Sequence, residues 1–209
     1  MSTFCPSGHE CATNGQRDAT TVRNERCLML RNLLTSCGLD EPADEVDHAR
    51  RVREAAMNLT GYLKANGAEF EFLEKATTHH ASDASRTSGI PIEEIAKTIV
   101  FTGDQGTNVV AVVLGNHMVS RHKLEACSGV RKVEVAIDIV AEKATGFPTG
   151  GIPPVGHRRR MPVYIDEHVG RLEHVWCGGG VRTRLVRLSV ADIVRMSGAK
   201  VCDIAIPQP

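Results

Sequence analysis

The run Thr98-Ile99-Val100-Phe101, the turn Gly103-Asp104-Gln105-Gly106 and the run from Asn108 to Leu114 decide the fold class of this chain. The first run is strongly β-prone, because β-branched and aromatic side chains fit a pleated, half-buried surface. The turn brings the second run back beside the first as a hairpin. Hairpins build antiparallel sheets, whereas a doubly wound sheet needs repeated βαβ crossovers. The expected class is therefore α+β, with a curved, mainly antiparallel central sheet flanked by helices.

The flanking sequence supplies the other elements. Upstream, Val46, Ala49, Val52, Ala56, Leu59 and Leu63 step by three and four, which is the apolar stripe of a helix capped by Asp40 and stopped at Gly67. Glu69-Phe70-Glu71-Phe72-Leu73 alternates with period two and reads as a strand. A short polar helix is expected over 82–88, stopped by Gly89, with Pro91 opening another turn. Downstream, helices are expected over 120–127 and 138–145, with strands at 130–137, 161–165, 174–177 and 184–188. Ser189 and Asp192 suggest a capping box for a last helix ending at Gly198. Residues 1–40 read as an extension, partly disordered and carrying a short helix with Leu28, Leu30, Leu33 and Leu34. A domain over 41–203 and a tail over 204–209 complete the expected organisation.

Composition narrows the function classes. Lysine plus arginine and aspartate plus glutamate both number 25, so the formal net charge is zero and polyanion contacts must come from local patches. Aromatics, at 4%, are too scarce for base-stacking platforms. Seven scattered cysteines without a C-x-x-C pair suggest reduced thiols, with Cys127 and Cys177 as small core residues. Cys5, His9 and Cys11 lack the second half of a zinc site, so no resident metal and no cofactor are expected. No stretch approaches 18 apolar residues, so a cytoplasmic protein without membrane partners is expected. The patterns G-x-x-x-x-G-K-[ST], G-x-S-x-G and H-E-x-x-H are all missing.

The stretch Thr149-Gly150-Gly151-Ile152-Pro153-Pro154-Val155-Gly156-His157 suits neither helix nor strand. Proline fixes φ and removes a donor, while glycine opens conformations closed to other residues. The result is a stiff loop, either a tight surface connection or a segment that offers its backbone to a ligand. Lys97, at the start of the β-prone run, can cover the sheet edge with its stem and leave its head in water. Set beside the loop, its ammonium would instead make a pocket for an anionic or ester-bearing ligand. His157-Arg158-Arg159-Arg160 is a solvated face or a phosphate grip, and Gly178-Gly179-Gly180 with Arg182 and Arg184 is a second basic segment.

These pieces, with Ile95-Ala96-Lys97-Thr98-Ile99-Val100-Phe101, Lys123-Leu124, Pro162-Val163-Tyr164-Ile165-Asp166 and Leu188-Ser189-Val190-Ala191-Asp192, resemble in order the YbaK family. That family comprises trans-acting aminoacyl-tRNA deacylases related to the editing insertion domain of bacterial prolyl-tRNA synthetase. The resemblance runs from about Glu45 to Lys200. It implies hydrolysis of the ester joining a wrong amino acid to tRNA, with the family's lysine at Lys97 and its G-x-x-x-P loop at Gly150 through Pro154. The Pro-Pro-Val-Gly-His version resembles the branch distinct from the cysteine-removing type. An aspartate found late in some relatives is replaced here by Leu185, and its role is not carried over.

The expected catalytic set is Lys97, Gly150, Gly151, Ile152 and Pro154, with Thr98, Gly156 and His157 contacting the substrate. Arg158, Arg159, Arg160 and Arg182 would hold the tRNA. The expected partners are the acceptor end of a mischarged tRNA and an aminoacyl-tRNA synthetase, not DNA. Two rival readings stay open. One is a non-catalytic module binding tRNA or a synthetase, docked through residues 20–38. The other is a hydrolase of small aminoacyl esters.

Overall fold

The computed structural model describes residues 59–208 of the chain. In order, helix α1, described over 59–65, is followed by strand β1 (Phe70–Glu74), α2 (Ala81–Ser88), β2 (Ala96–Thr102), β3 (Asn108–Leu114) and β4 (His117–Val119). Then come α3 (Arg121–Ser128), β5 (Glu134–Val135), α4 (Asp138–Thr145), β6 (Val163–Asp166) and α5 (Glu167–Gly170). The chain continues through β7 (His174–Gly178), β8 (Arg184–Ser189), α6 (Val190–Ser197), β9 (Lys200–Cys202) and β10 (Ala205–Pro207).

The expected hairpin organises the fold. β2 and β3 pair antiparallel from Ala96↔Leu114 to Thr102↔Asn108, at the middle of a five-stranded sheet ordered β5-β2-β3-β6-β9. β6 runs parallel to β3, and β9 parallel to β6. β5 pairs antiparallel with β2, and the other pairings are antiparallel too, in a β1-β8-β7 sheet and a β10-β4 ribbon. The class is α+β with a mixed central sheet.

β3 is buried on both faces because alternate side chains feed different cores. Val110, Val112 and Leu114 pack with Leu59 and Leu63 of α1, Ala141 and Ala144 of α4, and Ile193 of α6. Val109, Ala111 and Val113 pack with Leu124 of α3 and Ile204. α1 stops at Gly67, whose φ of +63° is a conformation open to glycine.

Several local expectations are corrected. The strand expected over 130–137 shrinks to Glu134–Val135, and the one expected over 161–165 starts at Val163 and ends at Asp166. Ser189 is the N-cap of α6, but its side chain caps nothing, and Asp192 accepts from Arg195 at 2.6 Å instead. Aspartate is one methylene shorter than the glutamate of a capping box, so it reaches a neighbour on the helix more readily than the N-cap N–H.

Cys127 and Cys202 form a disulfide joining the end of α3 to β9, against the expectation of reduced thiols throughout; Cys177 is a free, buried thiol as expected. The expected tail at 204–209 also starts inside the fold, since Ile204 is fully buried and β10 pairs with β4. The extension over 1–40, the helix upstream of Leu59 and the Cys5-His9-Cys11 cluster lie outside the described residues. All described residues belong to one compact unit, Asp47–Pro209.

Candidate active site

The central sheet leaves one stretch of the β2 edge open. Ile95 bridges to Trp176 at one end, and β5 pairs with Phe101 and Thr102 at the other, where the Ala136 N–H donates to the Val100 carbonyl at 2.9 Å. Between these points neither pairing reaches Thr98. A cavity of about 660 Å³ opens along this edge, and its lining includes Lys97, Thr98, Thr149, Gly150, Ile152 and Leu185. That volume suits a small-molecule site.

Strand geometry puts Lys97 and Thr98 on opposite faces of β2. Ala96 and Val100, which share a face with Thr98, pack in the same core as Ile152 of the Gly-Pro loop. Phe101 and Ile99, which share a face with Lys97, pack in the other core. Lys97 Nζ donates to the Gly115 carbonyl at 3.2 Å and to Gln208 Oε1 at 3.4 Å, and among the described residues it has no carboxylate partner. Burial of the ammonium lowers its pKa from the usual 10.5.

The Gly-Pro loop is braced from several sides. Its N-terminal end is tied to α4, where Thr149 N–H donates to Glu142 Oε1 at 3.0 Å. Arg182 Nε donates to the Thr149 carbonyl at 2.7 Å, and its guanidinium lies 3.6 Å from Glu142 Oε1. Gly151 N–H donates to the Pro148 carbonyl at 2.9 Å, and Gly180 N–H donates to the Gly151 carbonyl at 2.8 Å. His157 Nε2 lies 2.7 Å from the Pro153 carbonyl, a contact the ring makes as a donor.

Glycine is required at Gly150, where φ is +85° and an added Cβ would lie 3.2 Å from the Thr78 carbonyl oxygen. At Gly151 an added Cβ would lie 2.6 Å from the Val181 carbonyl carbon. These glycines let the loop pack against two other backbone segments.

Lys97, Thr98, Gly150 and Ile152 thus share one cavity. Gly151, Pro154, Gly156 and His157 lie outside its lining and shape the loop from behind. Arg158, Arg159 and Arg160 are exposed just beyond the loop, with the backbones of Arg158 and Arg159 bonded to the last turn of α4. Arg182 is half-buried and committed to Thr149 and Glu142. Leu185 stands in the cavity wall.

Sequence reasoning missed other lining residues. Lys75 lines the cavity and donates to the Arg182 carbonyl at 2.6 Å, holding the residue that braces the loop; burial lowers its pKa. Thr78, His79, His80, Thr149 and Gln208 also line it. Only Gly150 and Gly151, which follow Thr149, signalled any of these positions locally. Among the described residues no cluster of metal-ligating side chains occurs, and no helix is long and apolar enough to cross a membrane.

Residues 75–196 match the family model of the aminoacyl-tRNA editing domain. The chain belongs to this family. Every lining residue except Gln208 falls inside the matched span. Among relatives of this editing domain, an Enterococcus faecalis protein named "Putative Cys-tRNA(Pro)/Cys-tRNA(Cys) deacylase EbsC" is 28% identical over 149 residues, covering 71% of this chain and 91% of that protein. A proline–tRNA ligase of Elusimicrobium minutum is 32% identical over 154 residues, covering 70% of this chain but 26% of the ligase. A solved structure titled "Crystal structure of a putative trans-editing enzyme for prolyl tRNA synthetase" superposes with a TM-score of 0.63 at 28% identity, covering 74% of this chain and 98% of that one.

Proposed function

We propose that this protein is a trans-acting editing enzyme that hydrolyses the ester bond of a mischarged aminoacyl-tRNA. The observation carrying this reading is the shared cavity, which joins a half-buried lysine to the rigid Gly-Pro loop. Family membership fits the same chemistry.

An aminoacyl ester is already activated, so no covalent nucleophile is needed. Water, oriented by the neighbouring ribose hydroxyl of the substrate, attacks the ester carbonyl. The carbon–oxygen bond to the ribose breaks, the ribose oxygen takes a proton, and free amino acid and tRNA leave. The Gly151 N–H is committed to Pro148. The N–H groups of Gly150 and Ile152 are then the loop donors for the developing oxyanion. Removing one such donor typically costs about 10²–10³ in rate. Lys97 anchors the terminal adenosine or its phosphate and sets the ester for attack.

The arginines just past the loop hold the acceptor stem. Editing answers a thermodynamic limit: one methylene is worth only about 1–3 kcal/mol in a synthetase pocket, so small apolar amino acids leak through. The apolar wall formed by Val100, Ala141, Ile152 and Leu185 suits such a side chain.

The test is a panel of mischarged tRNAs offered to the purified protein. At least one should be deacylated, and Lys97→Ala should abolish that turnover while leaving the thermal midpoint near wild type. Charge reversal of Arg158 and Arg159 should weaken tRNA binding and flatten its salt dependence. A panel left intact by the wild-type protein ends the editing reading. Full activity in Lys97→Ala removes the lysine from the mechanism, and an unchanged salt slope returns the arginines to a solvated face.

A further inference from the structure

Two hydroxyls in the cavity lining are orphaned. Thr98 Oγ1 and Thr149 Oγ1 are buried, and neither hydrogen-bonds to any described residue. A buried hydroxyl left unpaired costs about 1–3 kcal/mol, and a native protein rarely tolerates one without a use. Neither residue is free to turn away. Thr98 is fixed opposite Val112 in the β2–β3 ladder, and Thr149 is held at both its N–H and its carbonyl by Glu142 and Arg182.

Around these hydroxyls the lining is rich in donors and apolar surface, from Lys97 and the loop N–H groups to Ile152 and Leu185. The carboxylate of Asp138, which also lines the cavity, belongs to an exposed residue at the start of α4. An aminoacyl ester carries a carbonyl that needs donors and an α-ammonium that needs acceptors. Lys97 and the loop serve the first need, and the lone pairs of two hydroxyls serve the second.

We propose that Thr98 and Thr149 receive the α-ammonium group of the bound aminoacyl ester, so that the enzyme acts on esters with a free α-amino group and rejects N-acylated ones. This inference rests on the editing reading above and names the substrate class of that same site. Acylation removes the charge and leaves a single N–H to share between two acceptors. A site built to pair a buried polar group rejects a ligand unable to pair it far more strongly than it rejects a change of size.

The test uses one tRNA that the wild-type protein deacylates, charged with the same amino acid in free and N-acetylated form. Wild type should prefer the free form by at least about a hundredfold in kcat/KM. Thr98→Val and Thr149→Val keep the shape and remove the hydroxyl. Each should lower kcat/KM on the free form by about tenfold and leave the N-acetylated rate unchanged. Because each orphan is removed, neither variant should melt below wild type. The inference is overturned if wild type hydrolyses both forms equally, if the variants slow both forms equally, or if they change only the preference among amino-acid side chains. Failure of the wild type on every charged tRNA would instead remove the editing reading itself.

Discussion

His157 precedes three exposed arginines in the chain, yet its ring turns inward to the Pro153 carbonyl. Burial lowers its pKa below the usual 6.5, partly opposed by that hydrogen bond. Above about pH 6.5 the ring is neutral in both folded and unfolded chains and costs nothing. As pH falls through that value the unfolded chain binds a proton that the folded ring resists, so stability declines towards the lower folded pKa. His157→Gln should therefore lose less denaturant stability than wild type between pH 7.5 and 5.5. Equal losses would show that His157 does not carry this dependence. At this scale the sequence marked segments that meet at one cavity and left the roles open, because adjacent residues face opposite directions. Lys97 and Thr98 make the same point on β2, as do Gly150 and Gly151 in the loop.

The Gly-Pro loop works as one braced element. Its stiffness comes from Pro153 and Pro154, but its position comes from Glu142, Arg182 and Gly180, which reach it from other elements. A Cβ at Gly151 would press on the Val181 backbone. Gly151→Ala should cost about 1–3 kcal/mol of stability and lower turnover together, as the loop and the segment after Gly180 shift apart. An unchanged thermal midpoint with lost activity would instead indicate a direct contact with substrate.

Elements with a local signature were legible in the sequence. β3 was expected over its observed span, and α4 likewise, because periodicity and glycine stops are written within a few residues. β5 and the cap of α6 were misjudged, since strand length depends on a partner and capping on competing side chains.

At the scale of the whole molecule, the C-terminal segment closes the fold. Asp166, at the end of β6, is fully buried and accepts from the N–H groups of His168, Ile204 and Ala205 and from the His168 ring at 2.7 Å. Burial alone would raise its pKa, but the hydrogen bonds from His168 and Ile204 outweigh that and hold it below the usual carboxylate value. Its contribution is present above the unfolded pKa near 4 and is lost as pH falls through the lower folded value. Asp166→Ala, by orphaning these buried N–H groups, should cost about 3 kcal/mol or more in a urea titration at neutral pH. A variant as stable as wild type would show that the segment is held by its apolar contacts alone. This is also why a tail could not be told from a strand in the chain: β10 is short, and its partner β4 lies more than 80 residues upstream.

By itself the sequence determined the elements with a local signature, the α+β class, the stiffness of the loop and the family, because each is encoded in neighbouring residues or in a collinear series of short motifs. The tertiary structure alone decided which atoms share a cavity. It set Lys97 and Thr98 on opposite sides of an unpaired strand edge, spent Arg182 and the Gly151 N–H on holding the loop, and left two hydroxyls without partners among the described residues. Those outcomes depend on contacts between segments far apart in the chain, and such contacts form only once the sheet and its cores have packed.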